Sequence, residues 1–307
     1  MIDFFKPKIK VVVHDGDFHP DDVFTCATLS IWAEKHGKKL KITRSRAEEI
    51  IEKADIVADV GAIYDPDKNR FDHHQKGGAG ERSKGLPYAA FGLVWKKYGT
   101  EICGGQEIAN RIEKQLVTPV DARDNGVNIS TTNELGVSDH RTGEMILNFN
   151  PTWQENKKLL NGQFEKVLSF AKEILKREIV WAKALVHGEK ETMRIIKEQN
   201  EPEILILDKE IEWHEAVSKD KNIKFIVYSR KEGREWRTQV GRDNLEDYNS
   251  DRIKFPQNWQ GLMGEDLVKV SGIKDVVFCA NAGWFAVAKT KESAIEMASK
   301  ALQIAQN

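Results

Sequence analysis

The first sixty residues alternate short apolar runs with polar turns. Residues 9–13 form a short run rich in β-branched residues, the pattern of a strand buried on both faces of a parallel sheet. The polar segment HDGDFHPDD follows, and residues 23–37 then carry apolar positions at helical spacing. Further strands are predicted at residues 40–43 and in DIVADVG, with a short helix at 46–53 between them. This order predicts an α/β fold with a mostly parallel sheet flanked by helices.

The middle of the chain is predicted to be helical. PYAAFGLVWKKYG should form a helix with Pro87 in its first turn and a stop at Gly99. Residues 107–117 continue helically into TPVDARDNG, and residues 128–150 are predicted as loops around a short helix near 144–147. From residue 156 to 187, apolar residues recur at steps of three and four, which indicates one long helix.

The last third has the composition of a second, smaller sheet. Strands are predicted in MRIIK, EILILD, IKFIVYSR and EWRTQV, and a hairpin joins DVVFCA to WFAVAKT. Helices are predicted at 264–270 and 291–305, the latter with Thr290 as its N-cap. We therefore divide the 307 residues into an N-terminal domain (1–150), a connecting helix (151–190) and an α+β C-terminal domain (191–307).

Composition narrows the class of protein. A formal net charge of -1 excludes a generally basic surface, so a nucleic-acid partner would have to be held by a local basic groove or by metal. Cys26, Cys103 and Cys279 lack CxxC spacing, which argues against structural zinc or a disulfide framework and favours a reducing compartment. No apolar run approaches a membrane span, and the start resembles no signal or presequence. We expect a soluble, cytoplasmic protein.

Four of the eight histidines fall in turn-like segments crowded with aspartate. The residues concerned are His14, His19, Asp21, Asp59, Asp72, His73, His74 and Asp121. Imidazole with carboxylate and no thiolate is the ligand set of Mn, Fe, Co or Zn hydrolytic centres. Asp59, at a strand end between two histidine segments, suits a carboxylate that bridges two metals about 3.5–4 Å apart. Spacing alone leaves Asp15, Asp17 and Asp22 as competing ligands.

These segments carry a family resemblance. HDGDFHPDDV, ADVGAIYDPDKNRFDHHQ and VDARDNG resemble the successive motifs of the DHH phosphoesterase superfamily. They are most similar to its Myg (melanocyte proliferating gene-like) branch of metal-dependent hydrolases and 3′-to-5′ exoribonucleases. FNPTW, EWRTQV, FPQNWQGLMGEDLVKVSGI and AVAKTKESAIEMASKAL resemble later blocks of that branch, so the likeness spans nearly the whole chain and implies a DHH-type sheet.

The resemblance implies a role for each matching residue. His14, His19 and Asp59 would hold one metal, and the second would be held by Asp21, Asp59, His73 and Asp121. Catalysis would depend on His74, Asp72 and Asp59: His74 contacts the scissile phosphate, and Asp72 fixes a histidine ring by accepting its other N–H. The cofactors would be two divalent ions, with Mn²⁺ the first expectation and Mg²⁺, Co²⁺ or Zn²⁺ the alternatives. A hydroxide between them would attack phosphorus.

Substrate contacts are predicted from positive charge and from the resemblance. Lys76, Arg82 and Lys84 lie in a glycine-rich loop and either contact phosphates or form a solvated loop. Arg237, with Trp236, Trp259 and Trp284, either stacks on bases or belongs to the core. Gly283 stands where DHH relatives commonly carry a glycine-rich segment that approaches the substrate.

Three functional hypotheses follow. The first is a 3′-to-5′ exoribonuclease, a phosphodiesterase that releases 5′-mononucleotides from single-stranded RNA or short oligonucleotides. The second is a phosphohydrolase for a small substrate such as pyrophosphate, a dinucleotide or a cyclic dinucleotide. The third is a non-catalytic binding protein stabilised by metal. No membrane partner is expected, and the oligomeric state, with a homodimer as one option, stays open.

Overall fold

The structure is a computed structural model that describes residues 7–129, 142–247 and 249–306. The chain divides into two compact units, Met1–Lys183 and Ala184–Asn307. The sequence-based division into an N-terminal domain (1–150), a connecting helix (151–190) and a C-terminal domain (191–307) stays a prediction. Among the described residues, no helix combines the length and apolar character required to cross a membrane.

A five-stranded sheet organises the first unit. Its strands are β1 (Lys8–Val13), β2 (Lys39–Arg44), β3 (Ile56–Ala58), β4 (Tyr64–Asp65) and β5 (Arg70–Phe71). They lie in the order β2-β1-β3-β5-β4, with every neighbouring pair parallel except the edge pair β5 and β4. Val11 and Val13 of β1, an inner strand, are fully buried, as the β-branched run predicted. The carboxyl ends of β1, β3 and β5 therefore lie side by side.

Helices cover this sheet. They are α1 (Pro20–Lys35), α2 (Glu48–Glu52), α3 (Ala90–Cys103), α4 (Gln106–Ile112), α5 (Thr118–Asp124) and α6 (Thr142–Leu147), with a π-helical segment at Glu113–Val117. The rings of Phe24 in α1 and Phe91 in α3 stack at 5.3 Å. Short 3-10 helices occur at Pro66–Lys68, Lys157–Leu159, Lys231–Gly233 and Gln257–Trp259. Most of the loop predicted around α6 lies outside the described residues.

The predicted bounds of α3 were wrong at both ends. The helix begins at Ala90. Pro87 pairs with Glu81 in an isolated β-bridge and therefore does not belong to the first helical turn. It continues through Gly99, where a Cβ would lie 2.7 Å from the indole of Trp95 one turn earlier. Gly99 thus makes room for that ring inside the helix, and Gly104, with φ of 78°, ends it.

The long helix α7 (Leu160–Glu198) extends further than the periodicity indicated. The strand predicted in MRIIK was wrong, because residues 193–197 form its last turns. Ile196 is buried there and packs with Leu205 and Leu207. A short apolar run has the same composition in a strand and in a buried helix, so periodicity alone does not separate them.

The second unit contains a mixed five-stranded sheet. Its elements are β6 (Ile204–Leu207), α8 (His214–Lys219), β7 (Phe225–Arg230), β8 (Glu235–Val240), α9 (Gly264–Ser271), β9 (Val276–Cys279), β10 (Phe285–Ala288) and α10 (Lys291–Gln306). The strand order is β6-β7-β8-β10-β9, and only β6 and β7 are parallel. The predicted hairpin is present, and Thr290 accepts a hydrogen bond from the backbone N–H of Ser293 as the N-cap prediction required. The α/β fold class is confirmed.

Candidate metal centre

Three parallel strands deliver polar residues to one end of the first sheet. His14 directly follows β1, Asp59 directly follows β3, and the segment Asp72-His73-His74 directly follows β5. Ligands of open α/β sheets gather beyond the carboxyl ends of such strands. Asp59 adopts a left-handed φ of 55° while its backbone N–H still donates to Phe71. Non-glycine residues in this conformation are uncommon and concentrate at functional sites.

The beginning of α1 supplies further groups. His19 is the N-cap residue, Pro20 occupies the first helical position, and Asp21 and Asp22 lie in the first turn. One carboxylate oxygen of Asp22 accepts the backbone N–H of His19 at 2.9 Å. This capping box and the positive end of the helix dipole hold two carboxylates in a fully buried position.

Asp59 lies between two imidazoles. Its Oδ2 is 3.2 Å from His14 Nε2, and its Oδ1 is 3.4 Å from His73 Nε2. His14 Nε2 is also 3.3 Å from Asp22 Oδ2, and His73 Nε2 is 3.2 Å from Asp124 Oδ2. Two ligands at right angles around an ion at about 2.1 Å would be about 3.0 Å apart. The separations therefore match the edges of a coordination polyhedron.

The DHH segment is organised by its aspartate. Asp72 Oδ1 accepts the backbone N–H groups of His73 and His74 at 2.7 and 3.1 Å, and it lies 2.7 Å from His74 Nδ1. Its Oδ2 accepts the N–H of Ala62. With Nδ1 directed to Asp72, the Nε2 of His74 is available on a side chain that is 61% exposed.

Buried atoms without partners support a cation at this place. Among the described residues, hydrogen-bond partners are lacking for His14 Nε2, both carboxylate oxygens of Asp21, Asp22 Oδ2, Asp59 Oδ1 and His73 Nε2. Buried polar atoms are rarely left without a partner, since desolvating them is unfavourable. Within the part of the chain that the structure describes, three groups of side chains have ligand atoms close enough to share an ion: His14 with Asp22 and Asp59; His19 with Asp21 and Asp124; and Asp59 with Asp72, His73 and His74. The residues fit divalent cations, and we call His14, His19, Asp21, Asp22, Asp59, His73 and Asp124 the His/Asp cluster.

The imidazoles are held charged by the carboxylates when no cation is bound. Burial alone would lower the pKa of His14, but the neighbouring carboxylates of Asp59 and Asp22 raise it to about 9. Burial is likewise outweighed at His73, where Asp124 and Asp59 raise the pKa to about 10. A proton therefore occupies the position between each ring and its carboxylates that a cation would take.

The pKa values of two carboxylates are also raised, which favours their neutral form. Burial, together with the charges of Asp59 and Asp124, raises the pKa of Asp21 well above its usual range. Burial also raises the pKa of Asp22 to about 7, against the opposing effect of His14. Divalent ions would relieve this repulsion and displace the protons.

The structure brings together all but one of the sequence-predicted metal ligands. The exception is Asp121, whose Oδ2 is 2.8 Å from Arg82 Nη1 and whose Oδ1 accepts the N–H of Gly92. A Cβ at Gly92 would lie 1.9 Å from Asp121 Oδ2, so this close approach requires glycine. Asp124, one turn later in α5, takes the position beside His73. A second aspartate in the same DARDNG motif was the sequence signal for it.

Contacts also distinguish the three aspartates of the first motif, Asp15, Asp17 and Asp22, that the sequence left as alternative ligands. Asp22 faces His14, whereas Asp15 is exposed and pairs with Arg46 at 3.2 Å, and exposed Asp17 pairs with Lys157 at 3.2 Å. The structure therefore adds Asp22 and Asp124 to the candidate ligands and leaves Asp15 and Asp17 at the surface.

The predicted substrate residues have different surroundings. Arg82 points inward to Asp121 and Glu113 and is 10% exposed, so it is not part of a solvated loop. Lys76 and Lys84 are exposed and their phosphate contacts stay a prediction. In the second unit, Arg237 lies over the ring of Phe285 at 4.4 Å. The three tryptophans belong to the core of the second unit: Trp259 is buried, and Trp236 and Trp284 pack against the same core cluster.

Gly283 is held in the turn before β10 with a φ of 68°, and a Cβ there would lie 2.6 Å from Gln260 Nε2. That amide is fixed by donating to the carbonyl of Phe255. We expect Gly283→Ala to lower the free energy of unfolding by about 1–3 kcal/mol, measured by urea denaturation.

The matched control is Gly162→Ala in α7, where a Cβ would meet no atom within 4 Å. It should leave stability unchanged or raise it by up to about 1 kcal/mol. Wild-type stability of Gly283→Ala combined with weakened RNA binding would contradict this explanation and favour approach of substrate to the backbone.

A cavity of about 880 Å³ opens beside the cluster. His14, His19, Asp59, His73, His74 and Asp124 line part of it. The fold and these side chains define the class: an α/β protein with a largely buried cluster of imidazoles and carboxylates that is suited to divalent cations and opens to a ligand-sized cavity.

Comparison with known proteins gives the family. Residues 10–302 match the MYG1 exonuclease family model, described as "Uncharacterised protein family (UPF0160)", and the chain belongs to this family. A MYG1 protein of Caenorhabditis elegans is 31% identical over 95% of this chain and 94% of its own. The human MYG1 exonuclease is 27% identical over 95% of this chain and 85% of its own. The resemblance to the Myg branch is confirmed, and placement in the DHH superfamily stays a prediction.

Proposed function

We propose that this protein is a divalent-metal-dependent phosphodiesterase that shortens single-stranded RNA from its 3′ end. The observation that carries the proposal is the set of buried, unpartnered nitrogen and oxygen atoms that converge beside an open cavity. Relatives that carry the name exonuclease, the human and bovine proteins among them, support a nuclease. RNA as substrate, the 3′-to-5′ direction and Mn²⁺ as the metal come from the family resemblance.

Two ions would be shared by the cluster. His14 and Asp22 with one oxygen of Asp59 would hold the first, and the other oxygen of Asp59 with His73 and Asp124 would hold the second. His19 and Asp21 lie beside Asp124 and would complete the second site. Such ions lower the pKa of water and neutralise charge on a phosphate.

The chain's own residues would position the substrate. Asp72 holds the His74 ring, and the exposed Nε2 of His74 is placed to contact a phosphate oxygen. Water would add to phosphorus and the 3′ oxygen of the preceding nucleotide would leave, which yields a 5′-mononucleotide and a shortened chain. Neither step needs a protein nucleophile, and the three cysteine thiols are buried. These thiols are unpaired, which agrees with the proposed cytoplasmic location.

The test is an RNA 20-mer labelled at its 5′ end and incubated with Mn²⁺. We expect a ladder of progressively shorter labelled RNA, because removal from the 3′ end keeps the label on the remaining chain. Immediate release of labelled mononucleotide would contradict the direction. EDTA should abolish shortening, and a matched DNA 20-mer tests the preference for RNA.

Two further outcomes correspond to the alternative functions. Phosphate release from pyrophosphate without any cleavage of RNA would favour the small-substrate phosphohydrolase. Binding of Mn²⁺ that raises the melting temperature, with no hydrolysis of either substrate in Mn²⁺, Mg²⁺, Co²⁺ or Zn²⁺, would favour a metal-stabilised binding protein.

A further inference from the structure

The cavity beside the cluster is larger than a phosphate requires. Its volume of about 880 Å³ lies within the range of about 300–1,000 Å³ typical of small-molecule sites. Apart from the candidate ligands and His74, the lining comes mainly from the end of the π-helical segment, from α5 and the residues that follow it, and from α6. The chemistry of this part of the lining therefore indicates what else, besides a phosphate, the cavity accepts.

This part of the lining is mixed: Gln115, Asn125 and Thr142 lie there beside five apolar residues that we call the apolar wall. The apolar wall consists of Leu116, Pro119, Val120, Ile129 and Leu147. Ile129 and Leu147 are 45% and 41% exposed, although both have large hydrophobic side chains. Inorganic phosphate or pyrophosphate has no apolar surface to place against such a wall, whereas a nucleoside has a base and a sugar. Exposed apolar surface within a concave site is typical of ligand binding.

An arginine with an unpartnered donor lies in the same part of the lining. Arg123 immediately precedes Asp124, lines the cavity, and is 27% exposed. Its Nε is buried without a hydrogen-bond partner among the described residues, and its Nη2 is 3.6 Å from the Glu144 carboxylate. The two groups form an ion pair that is longer than a normal hydrogen bond, so an anion in the cavity would compete with Glu144 for the guanidinium.

We propose that the cavity holds one nucleoside 5′-monophosphate unit, with its phosphate between the His/Asp cluster and Arg123 and its sugar and base against the apolar wall. The inference rests on the proposed function and makes this unit the 3′-terminal nucleotide, whose 5′-phosphate is the group attacked. The polar amide of Asn125 already donates to the backbone carbonyl of Asp121. The base would contact the apolar wall, and Gln115 and Thr142 are the further polar side chains of this part of the lining.

The experiment is calorimetric titration of the full chain in Mn²⁺ with adenosine 5′-monophosphate and, separately, with inorganic phosphate. We expect the wild type to bind the nucleotide at least about tenfold more tightly than phosphate. Arg123→Gln should weaken both ligands by about tenfold or more, since it removes charge-assisted hydrogen bonds. The double variant Ile129→Ser, Leu147→Ser should weaken the nucleotide about three- to tenfold and leave phosphate unchanged.

Matched controls lie on α7. Arg177→Gln removes an exposed arginine, and Val180→Ser shortens a hydrophobic side chain that is 50% exposed, both outside the cavity lining. Neither should change binding of either ligand. Melting temperatures of all variants would show that each one folds.

Equal affinity of the wild type for nucleotide and phosphate, or unchanged nucleotide binding in both cavity variants, would overturn the inference. The RNA ladder reports separately on the proposed function. If RNA is shortened but the nucleotide binds no more tightly than phosphate, the nucleotide site is refuted and the nuclease proposal is not. Nucleotide binding that responds to both cavity variants, with no cleavage of RNA, would support the site and overturn the nuclease proposal.

Discussion

Replacing Asp59 with asparagine is expected to reduce RNA shortening about a thousandfold or more and to lower the Mn²⁺ content of the purified protein. Each of its two oxygens faces a different imidazole, so one substitution removes charge from both candidate sites. Bound metal contributes several kcal/mol of charge stabilisation in phosphoryl transfer, and each 1.4 kcal/mol corresponds to a tenfold change in rate. The measurements are elemental analysis after dialysis against Mn²⁺ and the rate of shortening of labelled RNA.

Asp59→Asn removes the charge of the side chain without changing the preferred backbone conformation. Asp59 has a left-handed φ of 55°, and asparagine tolerates that conformation as well as aspartate does. Asp17→Asn is the control, because Asp17 belongs to the first motif but pairs with Lys157 at the surface. Its metal content and activity should equal those of the wild type. Full metal occupancy in Asp59→Asn would refute the bridging role.

The second large expected effect is on stability, and it distinguishes Asp121 from Asp124, one helical turn later. Asp121→Asn is expected to lower the free energy of unfolding by about 3–5 kcal/mol, because it leaves Arg82 without one of its two charged partners in a buried site. Burial raises the pKa of Asp121 to about 7 although Arg82 opposes this, which reflects how much solvation that carboxylate has lost. The folded protein should still bind Mn²⁺. Urea denaturation and elemental analysis measure the two effects.

Asp124→Asn should behave in the opposite way. Its carboxylate is 3.2 Å from His73 Nε2 and adds negative charge beside Asp21. Its loss should therefore reduce Mn²⁺ content and activity while the metal-free protein keeps its stability or gains some. The double variant Arg82→Met, Asp121→Asn should recover part of the stability lost in Asp121→Asn, since it removes the unpaired charge. Loss of metal from Asp121→Asn with unchanged stability would restore the ligand role that the family resemblance implies.

Much of the first unit could be predicted from local patterns. The β-branched run before His14 and the apolar residues before Asp59 each placed a polar group at the end of a predicted strand, whereas the two-residue strand β5 before the DHH segment was not predicted. Parallel strands end at the same edge of a sheet, so proximity of these groups followed from strand type alone. The bridging position predicted for Asp59 agrees with the distances from its two oxygens to His14 and His73.

Helices were less predictable because helix type and rotation are not encoded locally. The segment Glu113–Val117 is π-helical, and one extra residue in a turn rotates everything after it by about 100°. Whether Asp121 or Asp124 faces the cluster depends on that rotation. It is held by Arg82 and Gly92, which lie about thirty to forty residues before Asp121 in the chain.

The sequence by itself determined the strand ends, the imidazole and carboxylate chemistry and the family. Only the tertiary structure decided which aspartates join the cluster, that Arg82 points inward, and that an apolar wall lines the same cavity as the candidate metal ligands. The physical reason is that strand periodicity and residue type are local properties. The side of a helix that meets a site depends instead on contacts between segments far apart in the chain, which no local pattern records.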